Sequence, residues 1–563
     1  MNCNCSRTRN LLSLLSGLML YACFYPLNLG LVLGWVALVP LLIAVLNSET
    51  RRQAILTSLF AGLAFYVPVL QWMRVAHPAM YATWLGLALY CTFYLIVVML
   101  LTRSLVRKGL PLWFVLPMIW TLGEYIRSHF PTGFSFLESI GFRTHVGFGW
   151  YHLGYSQRDN FLFSQLAKYT GIYGLTWVLV LVNCVLALWI QRYLSASSKM
   201  VYSNRRSLIL ATVGALLVVI GVHFSAINDG INDAVSLKST LSHELKVKLI
   251  QTNIPQDIKN ARGDEMLHQF LSLGDAAARE RPDLIIWPET TCPDEWLDAE
   301  TPSKRASLPV EFSKRQAMLR EYLTNRFHSN ILVGLNGLVY ESKEVEWKYN
   351  SALFLNEDGT RDQRYDKMHL VPFGEYVPLR QTFPWMKMFT PYDHDYSCKP
   401  GETWTRFDLK KEDRDFHFGV MICYEDSDAS MAREAVSRSI DAGEPLDFLV
   451  NISNDGWFNG TSEHEEHLSI CRFRAIETRR PVVRAVNMGI SAVIDEFGVV
   501  KKLPGDNYSS SKKVQAIVSD TLKLYDTATD KTIYVRFGDW VPGICFLCLF
   551  GCLIWSRVRA KAV

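Results

Sequence analysis

The apolar residues of this 563-residue chain are segregated, and that segregation limits what it can fold into. Long apolar runs dominate residues 10–228, residues 229–535 are mixed and charged, and the end of the chain is apolar again. A spanning helix needs about 20 mostly apolar residues. Eight segments qualify, roughly 10–27, 29–47, 54–73, 82–102, 111–127, 163–191, 207–228 and 539–556. The first is read as a span, not a signal peptide, because no small-residue cleavage site leads into a soluble chain. The sequence therefore predicts a multi-domain protein. A membrane domain covers 1–228, a second unit 229–537, and a last span with its tail 538–563.

Lysine and arginine set the orientation. Arg7 and Arg9 precede the first span, and Arg51 and Arg52 separate the second from the third. Arg103, Arg107 and Lys108 follow the fourth, Arg192, Lys199, Arg205 and Arg206 the sixth, and Arg557, Arg559 and Lys561 the last. Every second connection is basic. With eight spans these all fall on one side, so both termini are expected in the cytoplasm and 229–537 outside it. Residues 128–162, with Gly147-Phe148-Gly149-Trp150-Tyr151, read either as an aromatic anchor at the membrane surface or as an arm over a lipid-accessible site. The net charge of +4 is small for this length, and nothing global argues for nucleic-acid binding. The twelve cysteines show no zinc-type pairing.

From about residue 245 the periodicity changes. Leu245 to Ile250 alternates like a half-buried strand, Leu284-Ile285-Ile286-Trp287 and Phe448 to Ile452 read as buried strands, and 262–280, 312–327, 428–440 and 464–480 read as helices. Strands are also expected at 331–334, 349–355 and 416–423. Such alternation implies a layered α/β domain.

Three segments place reactive side chains just past strands: Trp287-Pro288-Glu289, Tyr365-Asp366-Lys367 leading to Gly374-Glu375, and Ile422-Cys423-Tyr424-Glu425. A thiol must lose its proton to attack an acyl carbon. Glu289 could accept that proton, and Lys367 with the backbone N–H after Cys423 could hold the oxyanion. Taken singly, Cys423 also reads as a buried structural thiol, Glu289 as a helix-start carboxylate and Lys367 as a solvated loop charge. Spacing alone does not decide between these.

In this order the three segments resemble the Glu-Lys-Cys motifs of the nitrilase superfamily. The fuller set is similar to its membrane-embedded branch, the bacterial apolipoprotein N-acyltransferases. It includes Asn253-Ile254-Pro255-Gln256, Tyr349-Asn350-Ser351, Asn451-Ile452-Ser453-Asn454-Asp455, Arg474-Ala475-Ile476-Glu477, Gly154-Tyr155-Ser156-Gln157 and Gly171-Ile172-Tyr173-Gly174. The resemblance implies an eight-span helical bundle joined to an extracytoplasmic α-β-β-α sandwich in a bacterial inner membrane. It implies catalysis by Glu289, Lys367 and Cys423, without cofactor or metal. The donor would be a membrane phospholipid, the acceptor a diacylglyceryl-modified apolipoprotein, and the enzyme a monomer. Glu375 and Glu425 match carboxylates that orient Lys367 and the nucleophile loop, and Tyr424 would line the acyl site.

Some positions depart from the family pattern: Asn260, Phe136, the loop around 388–401, and the extra cysteines Cys292 and Cys398. An oxidising compartment would permit those two cysteines to pair. His464-Glu465-Glu466-His467 lacks metal-binding spacing and reads as a solvated helix start. Asn451-Ile452-Ser453 resembles a glycosylation acceptor, but falls in a predicted buried strand. The rival readings are a membrane-tethered nitrilase-type amidase and a transporter or scaffold with an inactive outer domain. The spans carry almost no midplane charges of the kind that mark solute pathways.

Overall fold

A computed structural model describes residues 6–130, 147–194, 205–239, 242–255, 263–292, 294–298, 310–341, 344–377, 384–385, 396–411, 414–525 and 530–561. The N-terminal half is helical: α1 Ser6–Ala22, α2 Val39–Leu46, α3 Arg51–Val69, α4 Met80–Arg107, α5 Leu112–His129, α6 Ala167–Leu194 and α7 Arg205–Ser239. Among the described residues, four helices are long and apolar enough to cross a membrane, within α3, α4, α6 and α7. A shorter apolar helix spans Trp540–Ile554. Thr50 caps α3 by accepting from the backbone N–H of Gln53 at 3.2 Å, and the Gln53 side chain returns the bond.

The segment read from sequence as one span over 29–47 is broken instead. A short turn of helix at Gly30–Leu33 is followed by irregular backbone and then α2. Asn183 of α6 makes the break affordable. Its amide accepts from the Leu38 N–H at 2.9 Å and donates to the Gly34 carbonyl at 3.0 Å. Non-helical backbone in an apolar setting persists only where its polar groups find such partners. Within α6, Gly171 adopts φ 60°, so the regular helix starts after it. A Cβ at this position would lie 2.5 Å from the Tyr534 ring.

Two sheets follow. Among the described residues the first holds β1 Ser242–Gln251, β2 Leu284–Ile286, β3 Trp296–Asp298, β4 Asn330–Glu341, β5 Glu344–Leu355, β6 Asp362–Asp366 and β13 Ala516–Tyr525. The second holds β7 Phe407–Lys411, β8 Arg414–Ile422, β9 Phe448–Asn454, β10 Val482–Asn487, β11 Ala492–Ile494 and β12 Val500–Lys502. At each centre the strands run parallel, β1–β2–β4 in one sheet and β8–β9–β10 in the other. Alternation along the strands sorts side chains between layers. Leu249, Leu284 and Ile286 meet Phe418, Val420 and Val450 between the sheets. Ile250 and Ile285 face outward onto α8 Gly263–Ala278 and α9 Val310–Phe327. Met421 and Leu449 face α10 Ala429–Asp441 and α11 Glu463–Thr478. The result is helix, sheet, sheet, helix. Each fully buried aliphatic side chain contributes about 1.5–3 kcal/mol here.

Helix α11 is the joint between the halves. Leu468, Cys471 and Ala475 pack on the second sheet, while Ile470, Phe473 and Ile476 join the core of the membrane half. Across this joint Glu466 accepts from the Tyr25 N–H at 2.6 Å, and Arg472 donates to the Arg158 carbonyl at 2.9 Å. Because α11 is covered on both sides, His464, Glu465, Glu466 and His467 are buried, which corrects the solvated helix start expected from sequence. The final helix, α12 Trp540–Lys561, begins with Trp540 donating to the Tyr169 carbonyl at 2.8 Å.

Candidate active site

Glu289, Lys367 and Cys423 each stand just past the end of a strand. Glu289 follows β2, and its turn lies so close to β4 that a Cβ on Gly334 would sit 2.6 Å from the Glu289 Cα. Only glycine leaves that space. Lys367 directly follows β6, with its N–H on the Asn350 carbonyl at 2.8 Å. Cys423 follows β8 with φ 53°, in the left-handed region that a non-glycine residue adopts only at some cost.

Lys367 joins two carboxylates. Its Nζ lies 3.3 Å from Glu289 Oε1 and 2.8 Å from Glu375 Oε2. Asn350 Nδ2 donates to the same two acids, at 2.5 Å to Glu289 and 2.7 Å to Glu375. Burial works against the Lys367 ammonium, but Glu289, Glu375 and Cys423 outweigh it and hold the amine protonated well above its ordinary range. Burial also pushes the Cys423 thiol up, to about 12; Glu289 adds to the rise and Lys367 opposes it. A thiol held there is neutral at rest, and any reaction through sulfur would need a proton acceptor beside it.

Glu425 holds the two halves of the site together. It accepts from the Tyr365 hydroxyl at 2.8 Å and from the N–H groups of Met368 and His369 at 2.7 and 3.0 Å. Its other oxygen accepts from the Ile422 N–H at 2.7 Å. One carboxylate thus fixes the loop after Lys367, on the first sheet, to the turn at Cys423, on the second. Tyr424 stacks on Trp150, with ring centroids 6.4 Å apart and planes 11° apart, and meets the His369 ring edge-on at 5.4 Å. The described part of the 128–162 segment is no surface anchor, since Phe148, Trp150 and Tyr151 are buried against the turn after Cys423 and the helices of the N-terminal half. Residues 131–146, with Phe136, lie outside the described residues, as does Asn260. Cys292 and Cys398 are both free thiols, so the disulfide that an oxidising compartment would permit is not formed.

The family-like segments contain Asn350, Asn451 and Asp455 without giving them a role, and nothing in the sequence singles out Arg484 or Asp426, which complete an ionic cluster behind Cys423. In that cluster Arg484, Asp426, His467, Asp455 and Asn451 are all buried. Each falls within an apolar or mixed run that gives no hint of a partner. Asp455, Glu463 and His467 bring potential metal-ligand atoms within 4.8 Å of one another. However, both His467 nitrogens already face Asp426 and Asp455, and the Arg484 guanidinium supplies the positive charge beside those acids.

The pKa of Cys423 has a measurable consequence. Only thiolate reacts with iodoacetamide, and its fraction grows about tenfold per pH unit below the pKa. Labelling of Cys423, followed by peptide mass spectrometry, should keep accelerating beyond pH 9. A plateau near 8.5, the ordinary cysteine value, would contradict the upward shift of this thiol.

Comparison with known proteins matches both halves in order. Residues 16–185 match the apolipoprotein N-acyltransferase N-terminal domain, and residues 246–511 match the carbon-nitrogen hydrolase domain. An apolipoprotein N-acyltransferase of Geobacter metallireducens is 29% identical over 547 residues, covering 95% of this chain and 92% of the relative. One from Haemophilus ducreyi is 27% identical over 91% and 90% of the two chains, and one from Rickettsia prowazekii 28% identical over 75% and 72%. Among solved structures, an amidase from Nesterenkonia sp. AN1 is 16% identical, with TM-score 0.34, over 52% of this chain and 96% of the amidase. With the apolipoprotein N-acyltransferase N-terminal domain preceding a carbon-nitrogen hydrolase domain, and relatives aligned across both, the chain belongs to the apolipoprotein N-acyltransferase family.

Proposed function

We propose that this protein moves an acyl chain from a membrane phospholipid to the amino group of the diacylglyceryl-modified cysteine that begins an apolipoprotein, by way of a thioester on Cys423. The observation that carries this reading is the Glu289–Lys367–Glu375 cluster, with Glu289 and Lys367 buried, acting on a thiol pushed up to about 12, in a chain whose relatives are apolipoprotein N-acyltransferases.

In the first half-reaction the Cys423 sulfur attacks the ester carbonyl of the phospholipid while Glu289 takes the thiol proton. An ammonium has three N–H donors. Glu289 and Glu375 face two of those on Lys367, and the third serves the developing oxyanion together with the Tyr424 backbone N–H. Collapse breaks the ester C–O bond, Glu289 returns the proton to the departing alkoxide, and a lysophospholipid leaves. In the second half-reaction the apolipoprotein amine attacks the thioester. Glu289 takes a proton from nitrogen, the C–S bond breaks, and the thiol is restored. Glu375 orients Lys367, Glu425 aligns the two loops, and Tyr424 with Trp150 forms a wall for the acyl chain.

The membrane placement supports such chemistry, because a lipid ester must reach the sulfur without leaving the bilayer. Counting the broken 29–47 segment as one crossing gives eight spans, and the alternation of basic connections then puts both termini in the cytoplasm and the catalytic unit over 229–537 outside it. The enzyme is read as a monomer of the bacterial inner membrane.

Purified protein in mixed micelles with a defined phospholipid should gain the mass of one acyl chain on the peptide bearing Cys423. Cys423→Ala should gain none and transfer none. Full transfer by Cys423→Ala would overturn the mechanism.

A further inference from the structure

Behind the nucleophile lies a closed ring of buried ionic side chains that the acyl-transfer chemistry does not use. Arg484 of β10 donates from one nitrogen to Asp426 Oδ2 and from the other to Asp455 Oδ2, each at 3.0 Å. His467 of α11 closes the ring, with Nε2 on Asp426 at 2.9 Å and Nδ1 on Asp455 at 3.1 Å. The four residues come from a strand, the nucleophile turn, the end of β9 and the joint helix, and none is more than 2% exposed. Burial and Arg484 work against a charged imidazole, but Asp426 and Asp455 outweigh them and hold His467 protonated. Glu463 stands 3.4 Å from His467 Nδ1, where burial and Asp455 push its carboxyl up. The ring thus alternates cation and anion, and it fixes the Arg484 fork in place.

One arm of that fork reaches out of the ring toward the nucleophile. Arg484 donates to Asn451 Oδ1 at 2.5 Å, which settles which way the Asn451 amide points. The Asn451 Nδ2 is thereby aimed at the Cys423 carbonyl, at 3.3 Å. Cys423 needs such a restraint, because its φ of 53° is a conformation the residue would otherwise leave. The peptide that carries the Cys423 carbonyl also carries the Tyr424 N–H. Fixing one end of this rigid unit aims the other.

We infer that Asn451, oriented by Arg484 and its ring, is a positioning residue that holds the Cys423–Tyr424 peptide so that its N–H points at the oxyanion. The inference rests on the acyl-transfer reading above. It distinguishes two reactions of the same sulfur: acyl transfer passes through an oxyanion and needs the donor, whereas alkylation by iodoacetamide forms none.

Arg484→Met is the obvious variant, but it strands the buried Asp426 and Asp455 and so threatens folding itself. Asn451→Ala leaves the ring closed and the site's charge unchanged. In detergent-purified full-length protein, Asn451→Ala should slow acyl-adduct formation on Cys423 by about 10- to 100-fold at saturating phospholipid, with half-saturation unchanged. Iodoacetamide labelling of Cys423 should stay within about twofold of wild type. Where Arg484→Met folds, combining it with Asn451→Ala should slow the adduct no further than the slower single variant. Parallel loss of acylation and alkylation would reduce Asn451 to a structural role and overturn the inference, as would an unchanged acylation rate. If wild type forms no adduct, the acyl-transfer reading fails first and the inference falls with it.

Discussion

Replacing Glu289 with glutamine should slow formation of the Cys423 thioester by about 1,000-fold. General acid–base catalysis is worth about 10²–10⁴ in rate, so the loss corresponds to about 4 kcal/mol of transition-state stabilisation. Glutamine keeps the size of the side chain and an oxygen for Asn350 and Lys367, so the pocket should survive. What it lacks is the ability to take a proton. Because the thiol is pushed up to about 12, almost no thiolate exists at neutral pH without that help. The same substitution also removes a negative charge that raises the thiol pKa, so the thiolate fraction at fixed pH should grow. Acylation and alkylation should therefore separate: adduct formation from phospholipid falls steeply, while iodoacetamide labelling is unchanged or faster. Rapid-quench mass spectrometry of both reactions on one preparation makes the comparison. Equal acylation in the variant would reassign the base, and equal loss in both reactions would mean that the pocket had collapsed.

How much of this was legible in the sequence depends on whether a residue's environment lies near it in the chain. Leu284 to Ile286 and Phe448 to Ile452 are apolar on both faces, as strands between two covered layers must be, and the structure buries them fully. Glu289, Lys367 and Cys423 could be picked out because each ends a strand, where a rigid scaffold meets an open loop. The structure adds the contacts that bring them together, those of Asn350 and of Glu425, whose partners come from distant segments. Strand β10, Val-Val-Arg-Ala-Val-Asn, escaped notice because Arg484 and Asn487 break its apolar pattern, although all six residues are buried. Its charge is matched by Asp426 and Asp455, and no local rule could pair residues so far apart in sequence. His464 to His467 misled for the complementary reason. The polar pattern of α11 suits a helix facing water, but the membrane half covers that face, and its charges meet Arg158, Asp426 and Lys512 instead. Segment 29–47 reads as one helix because apolar composition does not reveal that Asn183 satisfies a break in its middle.

The second large effect should come from Glu425, which needs no direct contact with substrate to matter. Its side chain is fully buried and accepts four hydrogen bonds, from Tyr365, Met368, His369 and Ile422. Alanine would leave a hydroxyl and three backbone N–H groups without an acceptor. A stranded buried donor costs about 1–3 kcal/mol. The losses overlap, since a water can enter the cavity and satisfy some donors, so the total should be on the order of 4 kcal/mol and not the full sum. A loss of that size consumes much of the stability of an ordinary domain. Glu425→Ala should therefore unfold at a clearly lower temperature than Tyr424→Phe, which removes only a hydroxyl at the edge of the same turn. The defect should also be directional. The Lys367 loop hangs from the first sheet and the Cys423 turn from the second, and Glu425 ties them through its two oxygens. Without it the ammonium and the sulfur lose their register, so acyl-adduct formation should drop by at least 100-fold even in the fraction that remains folded. Glu425→Gln keeps one acceptor oxygen but turns an N–H₂ toward either Ile422 N–H or the Met368–His369 pair, so it should fall between wild type and alanine in both unfolding temperature and adduct rate. An alanine variant that melts and acylates like wild type would show that the two loops are held in register by something other than this carboxylate.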